Sequence, residues 1–249
     1  MKRLAKLLSV WLMVGAPLSV AAEEALRVAV AANFQGTAEK LVAAFEAQTA
    51  FDAELISGST GKLYAQISLG APFDLFLAAD RVRPARLLAE GRALEVRTYA
   101  LGQLVLVARG SGVADDPAAL IGGQRLAIAD PGVAPYGLAA TEVIRSFGLD
   151  PDALDLVYGE NVAQVVGFFE TGNVDLAMIA ASQVADLSGQ VTITETAALH
   201  EPVLQDVALL TGTAEAKSFL ELLTGPIGRR IITEAGYGVV AGEAGGAAR

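Results

Sequence analysis

Short apolar runs alternate with amphipathic stretches along most of the chain. The apolar runs are continuous, a pattern typical of strands in sheets that helices cover on both faces. They lie at 74–78, 104–107, 126–129 and 176–179. Between such runs, apolar residues recur at spacings of three and four, as in 140–147 and 162–169, which predicts helices. The alternation predicts an α/β fold built on open, helix-covered sheets.

The length of the chain predicts two lobes. A typical domain has about 100–150 residues, and this chain has 249. Because no linker rich in proline, glycine and serine separates two contiguous halves, we expect the chain to enter the second lobe and return. Crossings are predicted near 99–103 and 201–204. They give a discontinuous lobe I of 23–102 and 204–241, and a lobe II of 103–203.

Both ends of the chain differ in pattern from the rest. Three cations within the first six residues precede an apolar stretch at 7–14 and small residues at 19–22, which predicts a secretory signal. The apolar stretch is too short to span a membrane. We therefore expect 1–22 to be removed and the mature protein to be periplasmic. The Gly/Ala-rich segment 242–249 predicts a disordered tail.

Composition excludes several classes of function. The net charge of −10 becomes −13 when the three cations of the signal are removed, which argues against nucleic acid and anionic membranes as partners. The chain has no cysteine, so disulfides, thiolate metal sites, cysteine nucleophiles and a lipid anchor on cysteine are ruled out. Asp74 and Asp80 flank an apolar run and are interpreted as edge or cap residues. No group of residues has the spacing of metal ligands.

Four predicted strands, at 28–32, 53–56, 126–129 and 154–158, each lead into a small polar or glycine-bearing turn that opens a helix. The turns contain residues 33–34, 57–61, 130–137 and 159–162. Each presents free backbone N–H groups and the positive end of a helix dipole at the carboxyl edge of a strand. No lysine or arginine lies in them, and Lys62 follows directly after the second. This arrangement predicts a site where neutral donors bind a small anion.

Each turn contributes a candidate donor. These are the Asn33 side-chain amide, the hydroxyls of Ser59 and Thr60, the Tyr136 hydroxyl and the backbone N–H of Val162. Each also has an ordinary structural interpretation: Asn33 as a helix cap, the Ser/Thr turn as a capped turn, and Tyr136 as a packing residue. The Val162 side chain is expected in the core.

The turn at 57–62 resembles two enzyme motifs but matches neither. A P-loop requires glycine where Ile56 lies and Ser/Thr where Leu63 lies, so that pattern fails twice. A nucleophile elbow fails at Ser57, where its first glycine belongs. His200 would have to be the base of any serine triad, and it is interpreted as a structural contact. A secreted hydrolase using a serine of this turn remains an alternative.

Taken in order, these motifs resemble the molybdate-binding proteins of ABC importers. The matching stretches lie at 31–34, 57–67, 70–80, 129–137, 160–162 and 225–237. The resemblance covers nearly the whole mature chain. It implies a type II periplasmic-binding-protein fold, in which two doubly wound α/β lobes enclose a ligand cleft. It also implies an oxyanion shell of Asn33, Ser59 and Thr60 from lobe I, with Tyr136 and Val162 from lobe II.

The resemblance also implies a role and partners. The protein would be a monomer that captures molybdate, and tungstate as well, and delivers it to a permease and its ATPase in the inner membrane. It would be no enzyme, would need no cofactor, and would hold metal only within the bound oxyanion. The alternatives are a binding protein for another ligand, such as sulfate, phosphonate or a small organic acid, and the secreted serine hydrolase.

Overall fold

The computed structural model describes residues 25–110 and 116–239. The predicted signal 1–22 and the predicted tail 242–249 lie outside the described residues. Ten strands are present in this part of the chain: β1 (Leu26–Ala31), β2 (Ala53–Gly58), β3 (Leu75–Leu77), β4 (Glu95–Gly102), β5 (Leu104–Arg109), β6 (Leu126–Ala129), β7 (Leu156–Gly159), β8 (Leu176–Ala180), β9 (Val191–Glu195) and β10 (Val203–Leu209).

Eight α-helices alternate with these strands in the described residues: α1 (Gln35–Glu46), α2 (Thr60–Ser68), α3 (Val82–Ala89), α4 (Pro117–Gly123), α5 (Pro135–Ser146), α6 (Val162–Glu170), α7 (Ala214–Thr224) and α8 (Pro226–Glu234). Short 3₁₀ helices lie at Ala32–Phe34, Pro151–Ala153 and Ala181–Asp186. None of the described helices is long and apolar enough to cross a membrane.

The strands form two five-stranded mixed sheets with the same internal plan. The first has the order β2-β1-β3-β10-β4, and the second has the order β7-β6-β8-β5-β9. In the first sheet β1 runs parallel to both neighbours, and β10 is antiparallel to β3 and β4. In the second, β6 is parallel to β7 and β8, and β5 is antiparallel to β8 and β9. The predicted two-lobed α/β fold is confirmed.

The chain crosses between the sheets at two points. Strand β4 ends at Gly102 and β5 begins at Leu104, so the first crossing is the single residue Gln103. The return lies between the end of β9 and the start of β10 at Val203. We propose that, among the described residues, lobe I comprises 25–102 and 203–239 and lobe II comprises 103–202. The predicted boundary at 203–204 shifts by one residue, because Val203 already pairs with Gly102 of β4.

Apolar packing positions the helix starts around these sheets. In lobe I, Phe34 and Phe45 pack on one face of the sheet, and Leu63 of α2 packs on the other. In lobe II, α5 and α6 pack on β6 and β8 within one buried cluster. The first sheet is therefore covered by two separate apolar clusters, and the first turns of α2, α5 and α6 are fixed by the core behind them.

Several element ends differ from the sequence prediction. Strand β2 runs to Gly58, beyond the predicted end at Ile56, and α2 begins directly after Ser59. The strand predicted at 154–158 begins only at Leu156, because Pro151 and the Asp150 side chain, which accepts the Asp152 N–H, hold a 3₁₀ turn ahead of it.

Candidate anion-binding site

A small cavity lies between the lobes where the four helix starts meet. About 10 Å³ is open to the centre of a water-sized sphere, which is room for one water or a compact ion. The lining residues are Ala31, Ala32, Asn33, Gly58, Ser59, Thr60, Ala79, Ala134, Pro135, Tyr136, Asn161 and Val162. All five predicted site residues are among them, and none of the lining residues carries a charge.

The first turn of α2 supplies two hydroxyls to the cavity. Ser59 is the N-cap residue and is 3% exposed, yet its Oγ makes no cap bond and has no hydrogen-bond partner in the structure. Thr60 Oγ1 accepts the N–H of Ala79 at 3.1 Å, which leaves its own hydrogen available to another acceptor. Because a buried hydroxyl without a partner is costly, the Ser59 group is suited to a ligand that supplies one.

The starts of α5 and α6 bring donors from lobe II. Tyr136 is the second residue of α5 and is 2% exposed. Val162 is the first residue of α6, and its side chain is buried in the lobe II core, as predicted. Its backbone N–H lies in the first turn, where no intrahelical acceptor exists. The Asn161 side chain caps this helix by accepting the Gln164 N–H at 3.0 Å.

Asn33 lines the cavity but does not act as the sequence suggested. Its Nδ2 donates to Gln205 Oε1 at 3.1 Å and to the Tyr237 hydroxyl at 3.2 Å. Both amide hydrogens therefore have partners inside the protein, and the 3₁₀ helix that contains Asn33 has no side-chain cap. The interpretation of Asn33 as a helix cap is wrong for this structure, because two buried acceptors lie behind the residue. Its place in the anion shell stays a prediction. Backbone N–H groups of this first turn remain for a ligand.

Sequence reasoning missed a buried polar network behind the cavity. Gln205, in β10, is fully buried and donates from Nε2 to the Tyr136 hydroxyl at 3.2 Å. Its Oε1 also accepts the Tyr99 hydroxyl at 3.0 Å. On the opposite side, Ser182 donates to the Tyr237 hydroxyl at 2.9 Å. A glutamine inside the apolar run 203–209 was the available signal, since a buried amide requires hydrogen-bond partners.

Burial keeps the tyrosines of this network protonated. Desolvation raises the pKa of Tyr136 well above its ordinary value of 10, and the neighbouring Tyr237 raises it further. Desolvation also raises the pKa of Tyr237 to about 12. A neutral tyrosine has a hydrogen to donate, so Tyr136 can act as a hydrogen-bond donor at any physiological pH.

Direct contacts join the lobes around the cavity. The Gly61 N–H donates to the carbonyl oxygen of Val133 at 2.9 Å. At the rim, Lys62 Nζ lies 2.6 Å from Glu160 Oε1. Gly61 and Lys62 belong to α2, whereas Val133 and Glu160 lie in turns of lobe II. The structure therefore shows the lobes closed over the cavity.

A family model described as bacterial extracellular solute-binding protein matches residues 26–238, which is almost all of the described chain. This chain belongs to that family.

Relatives of this solute-binding protein agree on its architecture. The molybdate-binding protein ModA of Rhodobacter capsulatus is 38% identical over 91% of this chain and 92% of its own length. The solved periplasmic molybdate-binding protein of Azotobacter vinelandii matches with a TM-score of 0.79 at 36% identity, covering 86% of this chain and 99% of that one. The tungstate ABC transporter structure from Geobacter sulfurreducens matches at 0.64, over 85% and 98% of the two chains, and its 16% identity shows the fold alone.

Other polar residues of this solute-binding protein have structural partners. His200 Nδ1 lies 2.7 Å from the Glu201 carbonyl oxygen, and His200 does not line the cavity. Asp80 accepts the Arg83 N–H at the start of α3, and Asp74 accepts the Arg27 N–H. In the described ranges, no group of three or more His, Cys, Asp or Glu residues could hold a metal ion.

Proposed function

We propose that this solute-binding protein captures molybdate, and tungstate as well, in the periplasm for an ABC importer. One observation carries the proposal: a buried, uncharged cavity between the lobes is lined by hydroxyl and N–H donors, and one of these, Ser59 Oγ, has no partner. A tetrahedral dianion accepts hydrogen bonds on every side. Tungstate is included because its charge and size are nearly those of molybdate. Molybdate is proposed because relatives 38% and 36% identical to this chain are molybdate-binding proteins.

The proposed mechanism is binding without a chemical step. The dianion bridges Ser59 and Thr60 of lobe I to Tyr136 and Val162 of lobe II, and the first turn at Asn33 adds backbone donors. Because these contacts exist together only when the lobes meet, the ligand favours the closed state. Each hydrogen bond to a charged ligand contributes about 1.5–3 kcal/mol. We propose neither catalysis nor a cofactor.

The closed form would then be handed to membrane partners. We propose that a monomer presents its closed lobes to a permease and its ATPase in the inner membrane, which defines the importer. Opening at the permease would separate the two halves of the donor set and so release the anion. The predicted signal at 1–22, which lies outside the described residues, would direct this protein to the periplasm.

Thermal unfolding with a panel of anions tests the proposal. Mature protein is unfolded alone and with molybdate, tungstate, sulfate, phosphate or a phosphonate. Ligand at about 100 times its dissociation constant adds roughly 2.7 kcal/mol, which for a chain of this size raises Tm by about 5–10 °C. We expect that rise with molybdate and tungstate only.

Other outcomes would redirect the assignment. A rise with sulfate or a phosphonate alone would keep the binding role and replace the ligand. No rise with any anion would contradict an oxyanion site. Ester hydrolysis that disappears in Ser59→Ala and in His200→Ala would instead establish the hydrolase alternative.

A further inference from the structure

The hydrogen-bond network behind the cavity begins at a group that can only accept. The Tyr237 hydroxyl oxygen lies 2.5 Å from the backbone carbonyl oxygen of Asn33. A carbonyl has no hydrogen and a hydroxyl has one, so Tyr237 must donate to this carbonyl. The Tyr237 oxygen is then left as an acceptor. It receives Asn33 Nδ2 at 3.2 Å and the Ser182 hydroxyl at 2.9 Å.

This first bond fixes the orientation of two amides in turn. Because Tyr237 accepts, the Asn33 group that faces it must be the NH₂, and the second NH₂ hydrogen points to Gln205. The Gln205 atom facing Asn33 must therefore be Oε1, which also accepts the Tyr99 hydroxyl. Amide orientation is ordinarily an assignment rather than an observation. Here the backbone carbonyl at the end of the network decides it.

The remaining end of Gln205 faces the cavity side. With Oε1 occupied, its Nε2 must donate to the Tyr136 hydroxyl oxygen, 3.2 Å away. The single Tyr136 hydrogen cannot be used for that contact. Tyr136 lines the cavity, so its hydrogen is left for an acceptor there.

Bare backbone covers this pair of side chains. A Cβ atom at Gly102 would lie 2.1 Å from the Tyr136 hydroxyl oxygen and 2.5 Å from Gln205 Nε2. The two groups therefore pack directly against the glycine, and both residues are buried to 2% exposure or less. Water has no space to replace the Gln205 hydrogen bond.

We propose that Gln205 is a positioning residue that occupies one acceptor position of the Tyr136 hydroxyl and so directs its hydrogen toward the ligand. The inference rests on the proposed oxyanion function. With Tyr136 held in this way, its hydroxyl donates a hydrogen bond to a ligand oxygen that carries no hydrogen.

A double-mutant cycle tests this role. The variants are Gln205→Met, Tyr136→Phe and their combination, and the measured quantity is the Kd for molybdate by isothermal titration calorimetry. Methionine keeps the length of the side chain, while Asn33 and Tyr99 each keep another partner, Tyr237 and the Ala78 carbonyl oxygen. We expect Gln205→Met to weaken binding about 10-fold in wild type. In the Tyr136→Phe background it should change Kd less than about twofold, because the group it positions is gone.

Equal losses in both backgrounds would overturn the inference, since a merely structural role does not depend on the Tyr136 hydroxyl. If Gln205→Met does not fold, the cycle is repeated with Gln205→Glu. The repulsion between the new carboxylate and the anion is present with and without the Tyr136 hydroxyl, so it cancels when the two effects on Kd are compared. Thr196→Val is the control: it deletes a buried hydrogen bond to the Leu104 carbonyl, away from the cavity, and should leave Kd unchanged. A wild-type protein that binds no molybdate would instead reject the proposed function.

Discussion

Replacing Ser59 by alanine should separate ligand binding from stability. A serine at an N-cap normally accepts a backbone N–H of the first turn, and its loss costs about 0.5–2 kcal/mol of stability. Ser59 makes no such bond, and its Oγ is buried without a partner. Ser59→Ala therefore removes no hydrogen bond of the ligand-free protein. We expect the free energy of unfolding of the ligand-free variant to equal that of wild type or to be slightly higher.

The effect on the bound state should be large. If the Ser59 hydroxyl donates to the oxyanion, the lost bond is charge-assisted and is worth about 1.5–3 kcal/mol. Since each 1.4 kcal/mol is about tenfold in Kd, the Kd for molybdate should rise about 10- to 100-fold. Urea unfolding without ligand and calorimetric titration with molybdate measure the two quantities separately.

A genuine cap provides the matched control. Thr213 caps α7, and its Oγ1 accepts the Ala216 N–H at 3.2 Å. Thr213→Ala should lower the free energy of unfolding by about 1 kcal/mol and leave Kd unchanged. Should Ser59→Ala behave like this control, with lower stability and unaltered affinity, Ser59 would be a cap and the anion site would be wrong.

Two further predictions concern closure and alkaline pH. A Cβ at Gly61 would lie 3.0 Å from the Val133 carbonyl oxygen of the other lobe, whereas its close contact within lobe I, at 3.2 Å, is with the flexible end of the Arg83 side chain. Gly61→Ala should therefore overpack mainly the closed state, by about 1–3 kcal/mol. Both Gly61→Ala and Gly36→Ala place alanine in a helix and should raise the free energy of ligand-free unfolding by a similar amount, about 0.4–1 kcal/mol. Only Gly61→Ala should also raise the Kd for molybdate, by about 5- to 150-fold, because Gly36 has open space around its Cβ; equal Kd values for both would refute the contact. Burial raises the pKa of Tyr237 from 10 to about 12, so the folded state holds a proton that the unfolded chain releases. The free energy of unfolding should therefore fall as pH rises from about 10 to about 12. In the Tyr237→Phe variant it should fall by about 2 kcal/mol less over this range, as measured by urea unfolding at each pH. Parallel pH curves for wild type and variant would contradict this.

Local sequence determined much of the cavity lining. Ser59, Thr60, Tyr136 and Val162 each lie where a strand gives way to a helix, and both elements can be predicted from short-range hydrophobic periodicity. Sheet topology then brings the carboxyl ends of neighbouring strands together. The meeting of these turns at one cavity therefore follows from elements that are visible along the chain.

The network that orients the donors could not be predicted in this way. Gln205 and Tyr237 reach the Asn33 side chain from 172 and 204 residues away. Whether the Asn33 amide faces the ligand or the interior depends on which acceptors the folded chain places behind it. No local pattern near Asn33 specifies those partners, so a plausible outward donor proved to point inward.

The single-residue crossing at Gln103 gives the two halves of the site different mobility. A rotation of the lobes moves atoms in proportion to their distance from the pivot, and Gly102, which covers the Gln205–Tyr136 pair, is adjacent to that crossing. Two other contacts between the lobes, Gly61–Val133 and Lys62–Glu160, lie far from Gln103. They join the start of α2, which follows the opposite edge strand of the first sheet, to turns that follow β6 and β7 of the second. Opening should therefore part these outer contacts while the Tyr136 hydroxyl keeps its orientation. An arriving anion would meet one donor already aimed, and closure would add the others.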